Sequence, residues 1–130
     1  LLEGEAYNLS TIVLWVSDLE AQSNFYASLF DVDAPTVQGD FVAISSDLNT
    51  VLLHLLPAEY AAQTPLTSQL SVNEEAAIKP VFTVDSIEAA RARTSHTFAS
   101  FRENLGQYGE YKYLDVIDPE GNVIQIQERS

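Results

Sequence analysis

Cysteine is missing from the 130 residues of this chain, and so is methionine. Without a thiol there is no disulfide, no thiolate nucleophile and no cysteine zinc site. The lack of an initiating methionine leads us to expect a processed or trimmed N-terminus. Basic side chains are scarce: 6 lysines and arginines face 19 aspartates and glutamates, for a formal charge of −13. That balance repels phosphate backbones and anionic lipid, so neither nucleic acid nor a membrane is an expected partner. No apolar run reaches the roughly eighteen residues of a membrane span and no basic-then-apolar leader is seen, so a cytoplasmic location is expected. Gly-rich phosphate loops, nucleophile elbows and metalloprotease helices are lacking too.

An apolar fraction of 46% is enough for one domain with a real core. Residues 1 to 8 are unpatterned and read as a frayed lead-in. Ser10 to Val16 is β-branched and aromatic, and Ser17-Asp18-Leu19-Glu20 has the Ser-x-x-Glu spacing of a capping box. A strand therefore runs into a helix over Leu19 to Phe30, whose apolar stripe includes Leu19, Phe25, Tyr26, Leu29 and Phe30. Phe41 to Ser45 and Thr50 to Leu56 form a hairpin about Ser46-Asp47-Leu48-Asn49, which Pro57 closes. Residues 58 to 77 read as a connector with one helical turn, crossing between two halves.

The second half repeats the first. Lys79 to Val84 aligns with Thr11 to Val16, and Asp85-x-x-Glu88 recreates the cap. Asn122-Val123-Ile124-Gln125 matches Val51-Leu52-Leu53-His54. The simplest account is a single α+β domain of two βαβββ modules, about 9–57 and 78–128. One such module has an open sheet edge and half a core, so two pair into a curved, partly closed mixed sheet around a cleft. Alternation puts Thr11, Val13 and Trp15 on one face, with Leu52, His54 and Leu56. It groups Lys79, Val81 and Thr83 in the same way, and Val123, Gln125 and Gln127, with Tyr111, Tyr113 and Asp115 beside Gln125. Ile12, Leu14, Leu53, Phe82, Leu114 and Ile124 then pack under helices.

The last hairpin turns on Asp118-Pro119-Glu120-Gly121-Asn122 and continues through Val123 to Glu128. Together with Val16-Ser17-Asp18-Leu19, Phe25-Tyr26 and Val84-Asp85, it resembles the vicinal-oxygen-chelate superfamily of glyoxalases, bleomycin-resistance proteins and extradiol dioxygenases, from about Leu9 to Glu128. The resemblance implies a homodimer, and metal ligands from the first and fourth strand of each module. Those positions are Thr11, His54, Lys79 and Gln125. His54 is a good ligand, Gln125 a neutral oxygen donor and Thr11 a poor one, and an ammonium at Lys79 repels a cation.

The expectation is a metal-independent small-molecule-binding protein, without a cofactor, for a cationic or aromatic ligand. Its cleft residues are Trp15, His54, Lys79, Tyr111, Tyr113, Asp115 and Gln125. His54 is either a hydrogen-bonded cleft residue or a ligand-binding one. Lys79 either pairs with Asp115 or takes a substrate carboxylate or enolate in its place. Trp15, Tyr111 and Tyr113 offer stacking faces. His96 and the Glu74-Glu75 pair read as surface. The rival is a glyoxalase-like lyase, isomerase or dioxygenase that holds a divalent metal through His54 and Gln125, and a third alternative is a degenerate module for dimerisation or regulation.

Overall fold

The computed structural model describes residues 11–37, 39–61 and 72–129; the expected lead-in and most of the connector lie outside them. The first module runs β1 (Ile12–Val16), α1 (Leu19–Phe30), β2 (Phe41–Ser45) and β3 (Thr50–Leu55), followed by the short helix α2 (Ala58–Ala61). The second runs β4 (Val81–Thr83), α3 (Ile87–Arg93), β5 (Ser100–Phe101), β6 (Gly106–Tyr108), β7 (Tyr111–Ile117) and β8 (Val123–Arg129). In each module the first strand lies parallel to the last, and the last pairs back on its hairpin partner. The sheet orders are β1-β3-β2 and β4-β8-β7-β5, with β6 also on β7. The far edge of β7 is thus covered by two short strands; among the described residues nothing pairs with the far edge of β2.

Period-two alternation sorts each strand into a helix-side face and an open face. Val16, Val42, Ile44, Val51 and Leu53 are buried in the first module, and Phe82, Leu114, Val116, Ile124 and Ile126 in the second. Ile12 and Leu14, half-buried, pack against the same core. Phe25, Tyr26, Leu29 and Phe30 of α1 complete it, and Phe82 meets the rings of both Tyr26 and Phe30, so the two modules share one core.

The first helix starts at Leu19 as expected, but the capping residue of each helix lies one position along from the expected one. Asp18, not Ser17, caps α1 by accepting from Ala21 N at 3.0 Å, and Ser86, not Asp85, caps α3 by accepting from Ala89 N at 3.1 Å. The reason at α1 lies in the other module. A capping box needs the N–H of its cap residue for the glutamate three along. The Ser17 N–H instead donates to the Glu120 carboxylate at 2.8 Å. At the far end of α1, Asp31 takes the left-handed conformation (φ 58°), and Arg93 donates to the carbonyls of Ser28 (2.8 Å) and Leu29 (2.9 Å).

Each hairpin turn grips the end of the other module's first strand. The Asn49 amide donates to the Thr83 carbonyl at 2.7 Å and accepts from Thr83 N at 3.2 Å. Glu120, in the opposite turn, accepts from the N–H groups of Ser17 and of Asp18 (3.1 Å). Beneath it Asp118 is buried and accepts from Gln22 Nε2 (3.1 Å), the Tyr26 hydroxyl (2.8 Å), Asn122 Nδ2 (2.9 Å) and the backbone N–H groups of Glu120 and Asn122. Gly121 closes the turn with φ 88°, a conformation that favours glycine. Burial, then the Asp118 charge, pushes the Tyr26 hydroxyl well above its usual range, so it stays a donor. Among the described residues no helix is long and apolar enough to cross a membrane.

Candidate functional site

The open face of the first module carries a row of three rings. Antiparallel and parallel pairing set His54 between Phe41 and Trp15 on adjacent strands. Ring centroids lie 4.6 Å apart for Trp15 and His54, and 6.3 Å apart for His54 and Phe41, the latter nearly stacked at 18°. Trp15 is 55% exposed and Phe41 56%, although rings of this size usually gain by burial. His54 Nδ1 lies 2.9 Å from the Leu55 carbonyl oxygen. A carbonyl only accepts, so Nδ1 carries the proton and, in the neutral ring, Nε2 keeps its lone pair.

The open face of the second module is polar. Lys79 Nζ meets Asp115 Oδ2 at 3.0 Å, the pairing that the hairpin register predicts, and Asp115 lies directly opposite Gln125. Lys79, Tyr113, Asp115 and Gln125 line a cavity of about 290 Å³ together with Arg102 and Asn104. Tyr111 shares the strand but lies toward its far end, opposite Tyr108 and Arg129, and is not part of that wall. Between the two clusters, a smaller cavity of about 220 Å³ is lined by Val13 of β1, two residues from Trp15, and by Ile78 and Pro80, which flank Lys79. Larger hollows of about 560 and 580 Å³ lie beside the two ends of α1 and hold none of the seven expected residues.

Tyr113 is positioned by an absence. Gly106 faces it across the β6–β7 pair, and a Cβ there would sit 2.2 Å from Tyr113 Cζ. A Gly106→Ala variant is therefore expected to displace this half-exposed ring and to lose about 0.5–1.5 kcal/mol through the strained side-chain torsion. Urea unfolding checks this; an unchanged midpoint would mean that the ring swings aside freely.

Register corrects the alignment of the two modules. Val13 of β1 pairs with Leu52, and its counterpart Val81 of β4 pairs with Gln125. The counterpart of Gln125 is therefore Leu52, while His54, opposite Trp15, corresponds to Gln127, opposite Thr83. His54 thus stands two residues, about 7 Å, beyond the matched position. The corrected set is Thr11, Leu52, Lys79 and Gln125: an alcohol, an alkyl group, an ammonium and an amide. These donors do not fit a divalent cation. Among the described residues no three His, Cys, Asp or Glu side chains gather where they could hold a metal ion.

Phe41 and Arg102 were not expected here. Phe41 was within reach, because the Ser46–Asn49 turn fixes the pairing of Ser45 with Thr50 and so of Phe41 with His54. Arg102 follows the two-residue strand β5, where no periodicity signals an element. His96 and Glu74 are exposed as expected, although Glu74 is paired with Arg102.

No protein-family model matches the sequence, and no curated protein matches it. The likeness is to solved structures. A glyoxalase/bleomycin resistance protein from Albidiferax ferrireducens T118 superposes with a TM-score of 0.67 at 19% identity, covering 94% of this chain and 98% of that one. A glyoxalase/bleomycin resistance protein/dioxygenase family enzyme from Burkholderia phytofirmans PsJN gives 0.65 at 20% identity, over 95% and 100%. An integron cassette protein from V. cholerae gives 0.64 at 20%, over 97% and 98%. At these identities the likeness is one of fold.

Proposed function

We propose that this chain, which has the fold of the glyoxalase/bleomycin-resistance proteins, binds a flat small molecule on its open face without a metal ion. The observation that carries the reading is the exposed row Trp15–His54–Phe41, three rings held in register by backbone pairing. Preformed apolar and aromatic walls with a few polar groups are what small-molecule sites offer. The corrected register supports metal independence, since His54 stands away from the position matching Gln125 and Lys79 is tied to Asp115. We further infer a homodimer, supported by large apolar side chains left exposed, among them Val13, Val81 and Phe98.

Trp15 is the only tryptophan, so its fluorescence reports the site directly. A flat aromatic ligand is expected to quench it saturably. Phe41→Ala, which removes one stacking face worth about 0.5–1.5 kcal/mol, is expected to weaken binding about 2- to 12-fold. Quenching unaffected by Phe41→Ala places the ligand elsewhere. A metal-dependent lyase, isomerase or dioxygenase is the second reading; its support is the fixed tautomer of His54, which leaves Nε2 as a donor to a cation. It predicts saturable stabilisation by nickel, zinc, manganese or ferrous ion that is lost in His54→Ala. The metal-free reading predicts no such shift.

A further inference from the structure

The chain has 6 lysine and arginine side chains among 19 acidic ones, yet two of the six, Lys79 and Arg102, line the same cavity of about 290 Å³. Among the described residues its one carboxylate is Asp115, so these groups carry a formal charge of +1 in a chain of −13. The remaining groups are the amides of Gln125 and Asn104 and the Tyr113 hydroxyl, all able to donate. Lys79 spends one of its three N–H donors on Asp115, and Arg102 spends one of its five on Glu74, through Nη2, which leaves four. We propose that this cavity takes the anionic head of an aromatic carboxylate, whose ring extends toward the Trp15 row. The proposal rests on the open-face reading above and adds the head group.

Two electrostatic effects oppose each other here. The acidic surface repels an anion at long range, but charges beyond about 10 Å are largely screened at 0.1 M salt. Donors in contact act unscreened, and a guanidinium fork matches a carboxylate in geometry as well as charge. Contact therefore decides the head group, and the distant field slows the approach. Ile78 and Pro80, the chain neighbours of Lys79, line a second cavity with Val13, which shares a strand face with Trp15, and the ring of the ligand would extend along that line.

Benzoate, benzylamine and benzyl alcohol offer one ring with three head groups. Each would be titrated into the intact protein and into Lys79→Met and Arg102→Met, with Trp15 fluorescence and backbone amide NMR shifts as readouts. Both side chains are more than two-fifths exposed, so the variants are expected to fold. We expect benzoate to bind about tenfold tighter than the other two, with shifts at Lys79, Arg102 and Gln125, and to lose about tenfold in each variant while benzyl alcohol is unchanged. Equal affinity for all three, or benzoate binding indifferent to both variants, overturns the anionic head group and leaves open-face binding standing. Failure of all three to quench Trp15 overturns both.

Discussion

An Asp118→Ala variant is expected to lose about 3–5 kcal/mol of stability, read as a lower urea midpoint with an unchanged slope. Its carboxylate collects five donors, two of them on the fully buried side chains Gln22 and Tyr26 of the first helix. Alanine orphans those donors and leaves a gap where water reaches poorly. Asp118→Asn is expected to cost less, for a reason visible in the same network. Among the described residues Gln22 Oε1 is buried without a partner, so the Gln22 amide can turn and accept from the new asparagine. If alanine and asparagine cost the same, the carboxylate charge rather than the acceptor count governs the site.

Replacing Glu120 by alanine is expected to cost about 2–3 kcal/mol, because two backbone N–H groups at the start of α1 lose their acceptor. The wild-type side chain is itself under tension. Burial raises its pKa above the ordinary 4.5 despite the N–H bonds that lower it, and the neighbouring Asp118 charge raises it further. The folded state then holds this proton more tightly than the unfolded chain. The proton-linked part of the Glu120 contribution is complete below pH 4.5 and is lost as pH rises through the raised folded value, while its hydrogen bonds to the two N–H groups remain. Glu120→Gln removes that dependence while keeping an acceptor. The stability difference between wild type and Glu120→Gln should therefore fall across this window and flatten above it, as paired urea midpoints at stepped pH would show. A difference constant with pH would mean that the folded and unfolded values coincide.

Much of the fold was legible because local rules and burial agree. The bounds of α1 follow from its apolar stripe, the β2–β3 and β7–β8 hairpins from their turns, and the Lys79–Asp115 pair from counting across the last turn. The site was legible in parts, and each error has a physical origin. Setting His54 against Gln125 is a slip of two residues, which leaves every side chain on its proper face and so is invisible to hydrophobic pattern. The displaced caps arose where two capping residues stand side by side, Ser17-Asp18 and Asp85-Ser86, and only a partner a hundred residues away distinguishes the first pair. Arg102 reaches the cavity from the break between β5 and β6, which local sequence does not announce.

The links between the last turn and the first helix have a consequence for how the chain folds. Glu120 reaches Ser17 across 103 residues, and Asp118 reaches Gln22 and Tyr26 across 96 and 92. The buried Gln22 and Tyr26 donors of α1 therefore stay unmatched until the final hairpin is in place. Contacts of such long sequence separation slow folding, because the loop must close before any of them forms. On a ribosome, the first module would emerge whole and still wait for its partner. A nascent chain stopped at Ile117 should stay open to protease around α1, and one carried past Arg129 and clear of the exit tunnel should close.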